Sequence, residues 1–270
     1  MVSSEFLDED VEFESVERLD SHGATSETFI VKIKGKNYFM KRLRAEFVCD
    51  LRFHSIFNKE YEVGSSLDSE YIPKYERIKN EDGEVYILME YIIGENIDER
   101  LKSDPRYFWK EKNVYRMLLQ LLKGLSELHK KDIIYSDMNP RNVMLTKYGN
   151  NVKICDLGFC VNASFYQTAG STVGFSAPEV VAKRLNEIDA QSDIYSLGLL
   201  LQYIKEHSGA KFSRRINSFM ERCLSYDKKG RFANCEEAIE ALMKGHRWCV
   251  AGAIVSVIAI VIVGSVMLLR

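Results

Sequence analysis

The stretch "YSDMNPRNVML", residues 135–145, decides how the whole chain is interpreted. It places Asp137 and Asn142 in one proline-containing turn, between two apolar segments of strand-like composition. Asp, Asn and Pro are ordinary turn residues, so a surface loop would explain the stretch taken alone. A carboxylate and an amide oxygen in one rigid turn would equally suit proton acceptance beside a hard cation. The rest of the chain decides between these two interpretations.

The composition is that of a folded protein with a sizeable core. Of 270 residues, 46% are hydrophobic and 28% are charged. The formal net charge is −2, from 37 Lys and Arg against 39 Asp and Glu, and this balance does not favour nucleic-acid binding. The six cysteines show no CxxC pair and no His-linked spacing, which favours a reducing compartment and argues against structural zinc.

The C-terminal end of the chain differs in character from the rest. From Trp248 to Leu269 the sequence "WCVAGAIVSVIAIVIVGSVMLL" contains no charged residue. A helix of this length reaches roughly 33 Å, enough to cross the hydrocarbon layer of a bilayer. A buried core helix is the alternative, but core helices seldom run this far without polar residues. Basic residues flank its start more than its end, which predicts a single-pass tail anchor at 248–269 with the preceding chain in the cytosol.

This predicted anchor makes a lipid bilayer a partner of the protein, although the span does not indicate which membrane. Gly252 and Ser256 have the small-xxx-small spacing of packed membrane helices. Such spacing is common in spans, so we expect at most a weak dimer through this helix.

Hydrophobic periodicity predicts two parts before the anchor. In the first part, which ends near Gly94, apolar and polar residues alternate over 11–45 and predict a hairpin with a tight turn at 34–37. A helix over 46–66 and two more strands joined by an Asp-Gly turn complete this part.

After Gly94 the period becomes that of helices, including helices over 189–206 and 213–243. The predicted fold class is α+β with two lobes, an antiparallel β lobe with one main helix and a mostly helical lobe. Their predicted ranges are 15–93 and 94–243, after a tail of residues 1–14.

Other short motifs stand around the 135–145 stretch in a fixed order. In chain order they are "LDSHGATSETFIV" (19–31), "YFMK" (38–41), "FNKEYEV" (57–63), "YILMEYIIGENI" (86–97), "DLG" (156–158), "SAPEV" (176–180), "SDIYSLG" (192–198) and "LSYDKKGRF" (224–232). Each is a weak signal alone, but the whole order resembles the protein kinase family over about residues 15–243. The resemblance implies a bilobal kinase fold that uses ATP and Mg²⁺ to phosphorylate a protein substrate.

The resemblance assigns the phosphate chemistry to a few charged side chains. It implies Asp137 as the catalytic aspartate and Lys41 as the cation on the α- and β-phosphates. Glu60 would be the helical partner of Lys41, with Glu62 as the alternative if the helix register differs.

The resemblance also implies a metal site and a nucleotide site. Asn142 and Asp156 would hold Mg²⁺ through their oxygen atoms. The residues expected around the nucleotide run from the phosphate loop to the segment that links the lobes, and they are Ser21, Gly23, Ser26, Phe39, Lys41, Met89, Glu90, Ile92, Asn96 and Met144.

Further roles follow for the second lobe. Thr168 would be the usual phosphorylation site of the activation segment, and Thr172 would lie beside the catalytic aspartate, as in serine/threonine kinases. Glu179 would pair with Arg231. Asp193 would brace the backbone of the catalytic loop.

The chain departs from the family pattern near the predicted catalytic loop and the adenine site. Tyr135-Ser136 stands where the family carries His-Arg, so a phosphate on Thr168 would lack its usual charged partner, and we expect control not to depend on it. Asn139 stands in place of a phosphate-facing lysine. Phe39 stands where a small alanine covers adenine, and its ring would crowd the base or stack on it.

Two departures concern the first lobe. Gly23 alone remains of the three glycines expected in the phosphate loop, which leaves the backbone less conformational freedom there. Gly64 is expected to leave a gap, because the family joins the helix to the core through an apolar side chain at this position.

Three functions remain open at this point. The retention of all the core catalytic groups favours an active membrane-anchored serine/threonine kinase. The eroded glycine loop, Phe39 and Asn139 favour a pseudokinase that serves as a membrane-bound scaffold. A small-molecule kinase of the aminoglycoside or choline type would share the Asp and Asn loop, but the Ala-Pro-Glu triplet with Arg231 argues against it.

Overall fold

An antiparallel sheet forms most of the first lobe, and its second strand alternates between a buried and a partly exposed face. In the computed structural model, which describes residues 12–19, 25–81, 84–161, 172 and 174–244, Phe29, Val31 and Ile33 share the buried face of one strand. The sheet has the order β1-β2-β3-β5-β4, and its strands are β1 (Ser15–Leu19), β2 (Ser26–Ile33), β3 (Lys36–Leu43), β4 (Tyr75–Glu81) and β5 (Glu84–Glu90).

The predicted hairpin is confirmed. Strands β2 and β3 pair from Ser26↔Leu43 to Ile33↔Lys36. Lys34 and Gly35 between them have φ values of 48° and 77°. Two successive positive φ values are those of the tight turn that suits the right-handed twist of paired strands.

The single large helix of this lobe, α1 (Leu51–Ser65), begins later than the sequence predicts. The predicted range 46–66 includes a short 3-10 helix at Ala45–Phe47. The carboxylate of Asp50 accepts the amide of Arg52 and so caps α1 at that point. A side chain that satisfies a free helical N–H fixes the start of a helix more sharply than periodicity does.

The second lobe is mostly helical, with a small sheet of order β6-β7-β8 beside the lobe junction. Its elements are β6 (Gly94–Asn96), α2 (Ile97–Ser103), a 3-10 helix at Pro105–Trp109, α3 (Glu111–His129), β7 (Val143–Thr146), β8 (Val152–Ile154), α4 (Pro178–Val181), a 3-10 helix at Leu185–Glu187, α5 (Ala190–Ser208), α6 (Arg214–Cys223), a 3-10 helix at Lys228–Gly230 and α7 (235–244).

The continuous helix predicted over 213–243 is wrong. Helix α6 ends at Cys223, and the chain does not return to α-helix until residue 235. The intervening segment includes Arg231, whose guanidinium is buried and donates to the carbonyl groups of Ser225 and Tyr226. This irregular backbone therefore wraps around a buried charge, which a pattern of apolar residues does not reveal.

The larger of two clusters of buried hydrophobic residues extends through both lobes. One cluster of buried side chains joins Phe57 and Ile87 of the first lobe to Leu121, Ile154 and Leu197 of the second. The two lobes are consequently held in a defined relation at the cleft between them.

Three sequence predictions about secondary structure and domain limits fall wholly or mostly on parts of the chain that the structure does not describe. The predicted span 248–269 lies outside the described residues, as do most of the predicted tail 1–14 and the Asp-Gly turn. Among the residues that are described, no helix has the length and apolar character needed to cross a membrane.

Candidate active site

A cleft of about 460 Å³ lies between the lobes, and it collects most of the predicted site residues. Ser21, Gly23 and Thr168 lie outside the described residues. The predicted catalytic, nucleotide, metal and substrate residues that are described all line this cleft, namely Ser26, Phe39, Lys41, Glu60, Met89, Glu90, Ile92, Asn96, Asp137, Asn142, Met144, Asp156 and Thr172.

Lys41 lies between two carboxylates at the inner end of the cleft. Its Nζ is 2.8 Å from Glu60 Oε2 on α1 and 3.0 Å from Asp156 Oδ1 after β8. Burial alone would lower the pKa of Lys41, but Asp156 and Glu60 outweigh it and raise the pKa above its ordinary value. The lysine is therefore a permanent cation. Glu62, the alternative partner, is exposed.

Burial and the contact with Lys41 oppose each other at both carboxyl groups, but the net change in pKa differs between them. Burial raises the pKa of Glu60 despite the attraction of Lys41. For Asp156 burial also acts to raise the pKa, but Lys41 outweighs it and the pKa is lowered. Asp156 is thus the more firmly ionised of the two carboxylates, which suits an oxygen ligand for a cation.

Tyr75 forms a hydrogen bond with Glu60 and also packs beside Gly64. The gap that the sequence predicts at Gly64 is absent. The hydroxyl of Tyr75 donates to Glu60 Oε1 over 3.3 Å. A Cβ added to Gly64 would lie 2.2 Å from the Tyr75 ring. The expectation of a gap is therefore wrong, since an aromatic side chain from β4 fills the space that a side chain at position 64 would take.

Asp137 is held in a dense hydrogen-bond network in the 135–145 loop. Asn142 Nδ2 donates to Asp137 Oδ2 over 2.7 Å, and Thr172 Oγ1 donates to Asp137 Oδ1 over 2.6 Å. Burial raises the pKa of Asp137 above its ordinary value, against the hydrogen bonds from Thr172 and Asn142 that lower it. A carboxylate with a raised pKa that already accepts a threonine hydroxyl is equipped to accept a proton.

Asn139 stabilises the loop in place of the lysine that the family pattern has there. Its Oδ1 accepts the amides of Arg141 (3.0 Å) and Asn142 (3.3 Å). Its Nδ2 donates to Thr172 Oγ1 over 3.1 Å. The side chain thus ties the loop to the segment that contains Thr172 and contributes no positive charge.

Asp193 on α5 fixes the start of the same loop. Its two oxygens accept the amides of Tyr135 and Ser136, each over 2.8 Å. Its Oδ2 also lies 2.8 Å from His129 Nε2. Ser136 has a φ of 65°, a strained value for a residue with a side chain, and the two bonds to Asp193 hold it there.

Asn142 and Asp156 fit a site for Mg²⁺ by the chemistry of their donor atoms. The two hydrogen bonds of Asn142 to Asp137 use its Nδ2, so the amide oxygen is the atom left for a cation. Among the described residues no group of three or more His, Cys, Asp or Glu side chains could hold a metal. Two protein ligands suffice for Mg²⁺, because it commonly takes its other ligands from water and substrate phosphates.

The outer end of the cleft is apolar, as a base-binding site requires. Phe39 on β3 is paired with Met89 on β5, and Met144 on β7 lines the same region. The amide of Glu90 donates to the carbonyl of Lys74, while the amide of Ile92 has no backbone partner among the described residues.

Asn96 has a structural role at the outer end of the cleft. Its Oδ1 accepts the amide of Glu99 over 2.9 Å, and the Glu99 carboxylate accepts the amide of Asn96 in return. This reciprocal pair is a capping box at the start of α2. The oxygen of Asn96 is thereby engaged, and its Nδ2 is the group left to face a ligand.

The pair of Glu179 and Arg231 does not line the cleft, and both residues are buried. Arg231 Nη1 is 2.7 Å from Glu179 Oε1, and Nη2 is 3.2 Å from Oε2. Ser192 Oγ donates to the same carboxylate over 2.7 Å. Burial would raise the pKa of Glu179, but the bonds from Arg231 and Ser192 hold it below its ordinary value.

Sequence reasoning missed several residues that line the cleft. Thr28 lies two positions after Ser26 on β2, so the two-residue period of a strand could have placed it on the same face. Pro73, Tyr91 and Arg141 carry no comparable signal, because loop geometry alone brings them to the cleft.

The geometry defines a class of protein in which a lysine, two aspartates and an asparagine meet between a β lobe and a helical lobe. The model of the protein kinase domain matches residues 21–208, which is more than half of the chain. The chain therefore belongs to the protein kinase family.

Curated relatives agree with this assignment. The chain is 38% identical over 123 residues to the serine/threonine-protein kinase CLA4 of Candida albicans, a match that covers 44% of this chain and 12% of the relative. It is 29% identical over 204 residues to the serine/threonine-protein kinase Nek6 of Oryza sativa subsp. japonica, covering 74% of this chain and 37% of the relative. The matches thus span well under half the length of these relatives.

A solved structure shows the same fold. The kinase domain of PknI from Mycobacterium tuberculosis superposes with a TM-score of 0.67 at 21% identity, covering 87% of this chain and 97% of that domain. The bilobal architecture expected from the sequence is confirmed by this likeness.

Proposed function

We propose that this protein transfers the γ-phosphoryl group of ATP to serine or threonine hydroxyls of a protein substrate. The observation that carries the proposal is the cleft in which Lys41 contacts Glu60 (2.8 Å) and Asp156 (3.0 Å) while Asp137 lines the same cavity. A fixed cation and a proton acceptor facing one cavity are the groups that phosphoryl transfer to a hydroxyl needs.

The side chains divide the work between two ends of the cleft. Lys41 would neutralise phosphate oxygens, and Glu60 holds its ammonium group in place. Asp137 would orient the attacking hydroxyl and accept its proton, as it accepts the Thr172 hydroxyl in this structure. Mg²⁺, held by Asn142 and Asp156, would supply further neutralisation of phosphate charge.

Two features support serine and threonine as the acceptor residues. A threonine hydroxyl already lies 2.6 Å from Asp137 Oδ1. The curated relatives reported above are named serine/threonine kinases, which supports the same acceptor class.

The test is phosphate transfer by the purified full chain, kept in detergent and given γ-labelled ATP, Mg²⁺ and a mixture of protein acceptors. We expect labelling by the wild type and a loss of at least about a hundredfold in Asp137→Asn, the range for removing a positioned base. Lys41→Met should lose comparable activity. The exposed Glu62→Gln is the matched control and should behave as the wild type. Equal labelling by wild type and Asp137→Asn would disprove the proposal.

A pseudokinase that serves as a scaffold is the second candidate, and two observations favour it. Phe39 lines the cavity where the base would lie, and Asn139 supplies no cation. A thermal shift with ATP and Mg²⁺, without any transfer to acceptors, is the outcome that would select this function.

We also propose that residues 248–269 anchor the protein in a membrane with the kinase domain on the cytosolic side. The uncharged composition of that stretch and the basic residues before it support the proposal. The anchor would confine transfer to substrates near one membrane surface, and a weak dimer through the span would bring two catalytic domains together.

A further inference from the structure

Among the described residues that line the cleft, Arg141 is a cation that the proposed chemistry does not use. Arg141 lines the cavity and is exposed, unlike Lys41, which is held by two carboxylates. Within the described residues, the guanidinium of Arg141 takes part in no ion pair and no side-chain hydrogen bond. Its backbone is fixed, because its amide donates to Asn139 Oδ1 over 3.0 Å. A free charge therefore projects from a rigid loop close to Asp137.

The position of Arg141 is on the acceptor side of the cleft. Thr172 contacts Asp137, and the amide of Phe175 donates to the carbonyl of Thr172 over 3.0 Å. The Phe175 ring in turn packs edge-on against Tyr203 of α5, with 5.3 Å between the ring centroids. The charge of Arg141 acts to lower the pKa of this same tyrosine, so Arg141 lies near the Phe175–Tyr203 pair.

Within the part of the chain that the structure describes, no acidic side chain forms an ion pair with Arg141. The carboxylate of Asp98 is engaged with the neighbouring tyrosine, because it accepts the Tyr203 hydroxyl over 2.8 Å. Burial and this hydrogen bond raise the pKa of Tyr203 to about 12, whereas the charge of Arg141 acts in the opposite direction. Glu95 on β6 is paired with Arg100 at 3.2 Å.

We propose that Arg141 forms a specificity subsite for an anionic side chain of the protein substrate, placed a few residues from the acceptor hydroxyl. The inference rests on the proposed function, because it deepens the same site. A guanidinium presents a planar fork of N–H donors that fits a carboxylate or a phosphate. The substrate anion would be an aspartate, a glutamate or a phosphorylated residue, which share this chemistry.

The test is peptide binding by the full chain in detergent, measured by fluorescence anisotropy. Each labelled peptide has alanine at the acceptor position and Glu, Gln or Lys at each neighbouring position in turn, so that binding is read without catalysis. We expect the wild type to bind a Glu peptide most tightly. Arg141→Gln should weaken that binding roughly three- to tenfold, the range for a charge-assisted contact partly open to water.

Three further variants sharpen the result. Arg141→Lys keeps the charge and should retain most of the preference, and Arg141→Glu should reverse it toward Lys peptides. Arg184→Gln is the matched control, because it removes an exposed arginine that pairs with Glu187. Arg184→Gln should leave binding unchanged. Circular dichroism of every variant checks that the fold is kept.

The outcomes separate the sources of the anion and the two proposals. A phosphoserine peptide that binds more tightly than the Glu peptide, with the difference lost in Arg141→Gln, would identify a phosphorylated substrate. Three results would overturn the inference. The wild type could prefer Lys peptides, it could show no detectable binding of any Glu peptide, or Arg141→Gln could keep the preference for Glu peptides. If binding depends on Arg141 but the protein transfers no phosphate to the same Glu peptide with serine at the acceptor position, only the proposed function is refuted.

Discussion

The carboxyl group of Asp137 must be ionised to accept a proton, and its surroundings act on this ionisation in both directions. Burial raises its pKa, and the Thr172 hydroxyl lowers it. With a raised pKa, the carboxyl group stays protonated to higher pH than an ordinary aspartate, so activity should fall as the pH drops through that value. Thr172→Val removes a hydrogen bond that lowers the pKa, and it should move the acidic limb of the kcat/KM profile to higher pH.

Thr172→Ser keeps the hydroxyl and is the control for this change. The measurement is phosphate transfer to a peptide across the acidic range. An acidic limb that stays in place or moves to lower pH in Thr172→Val would show that the hydroxyl does not stabilise the ionised form.

Ser136 bears on control of the activity. Its Oγ is buried and has no hydrogen-bond partner among the described residues. An uncharged side chain of this length gives a phosphate on Thr168 no cation to contact. We expect Thr168→Ala and Thr168→Glu to have the kcat/KM of the wild type, measured on the same peptide. A loss of activity in Thr168→Ala that Thr168→Glu restores, with folding kept, would contradict this expectation.

At the scale of single residues, the sequence predicts side chains whose chemistry repeats through the family. Lys41, Asp137 and Asp156 reach one cleft as expected. Arg141 was not predicted, because its importance depends on what surrounds it and not on its own type. Asn139 shows the same limit, since its bonds to the loop and to Thr172 cannot be derived from an asparagine in a turn.

The contact between α1 and β4 gives a prediction at the scale of elements. Gly64→Ala would place a Cβ 2.2 Å from the Tyr75 ring, so the ring must move and its bond to Glu60 must break. Overpacking of this kind costs about 1 to 3 kcal/mol of unfolding free energy. Chemical denaturation of Gly64→Ala should show this loss, and phosphate transfer should fall because Glu60 no longer holds Lys41 in place.

The sign of the change in unfolding free energy of Gly64→Ala distinguishes an effect of packing from an effect of helix propensity. In an exposed helix, Gly→Ala stabilises by up to about 1 kcal/mol. Glu62→Ala lies on the exposed side of the same helix and serves as the control, with little change expected. A stabilised Gly64→Ala with full activity would show that the space beside Tyr75 is open.

At the scale of elements, the sequence predicts whether a segment is helix, strand or turn better than it predicts the residues at which each element begins and ends. The Lys34-Gly35 turn was predictable because its backbone favours Gly and similar residues. The start of α1 was displaced because Asp50 caps it. The break after Cys223 was missed because hydrophobic spacing continues through a segment whose backbone is instead organised by the buried Arg231.

The pair of Glu179 and Arg231 links α4 to the segment before α7, far apart in the chain. Arg231→Met would leave Glu179 buried beside Ser192 without its cation, at a cost of about 3 to 5 kcal/mol in unfolding free energy. Glu179→Leu combined with Arg231→Met should recover part of this loss. Chemical denaturation of the three proteins is the measurement.

The pH dependence of Arg231→Met is a sharper check on the same pair. In the wild type the pKa of Glu179 is lowered, so its stabilisation is present above the unfolded pKa and is lost as the pH falls. In Arg231→Met, burial acts without the arginine and the pKa should rise, so stability is lost as the pH rises. The difference between the two proteins should therefore narrow toward acidic pH, and a constant difference would contradict the electrostatic account.

The whole chain joins this catalytic domain to the uncharged stretch 248–269, and the proposed anchor has a direct test. The wild-type chain should stay in the membrane fraction through alkaline carbonate extraction, which removes proteins bound only to the surface. Ile258→Arg combined with Ile260→Arg should release it, because each arginine near the centre of a span costs about 2.5 to 3.5 kcal/mol. Ile258→Leu with Ile260→Leu is the control and should remain bound.

Since the proposed topology leaves the kinase domain on the cytosolic face, protease added to sealed vesicles should digest it. Extraction of the wild type by carbonate, or protection of the domain from protease, would remove the basis for a kinase restricted to one membrane surface.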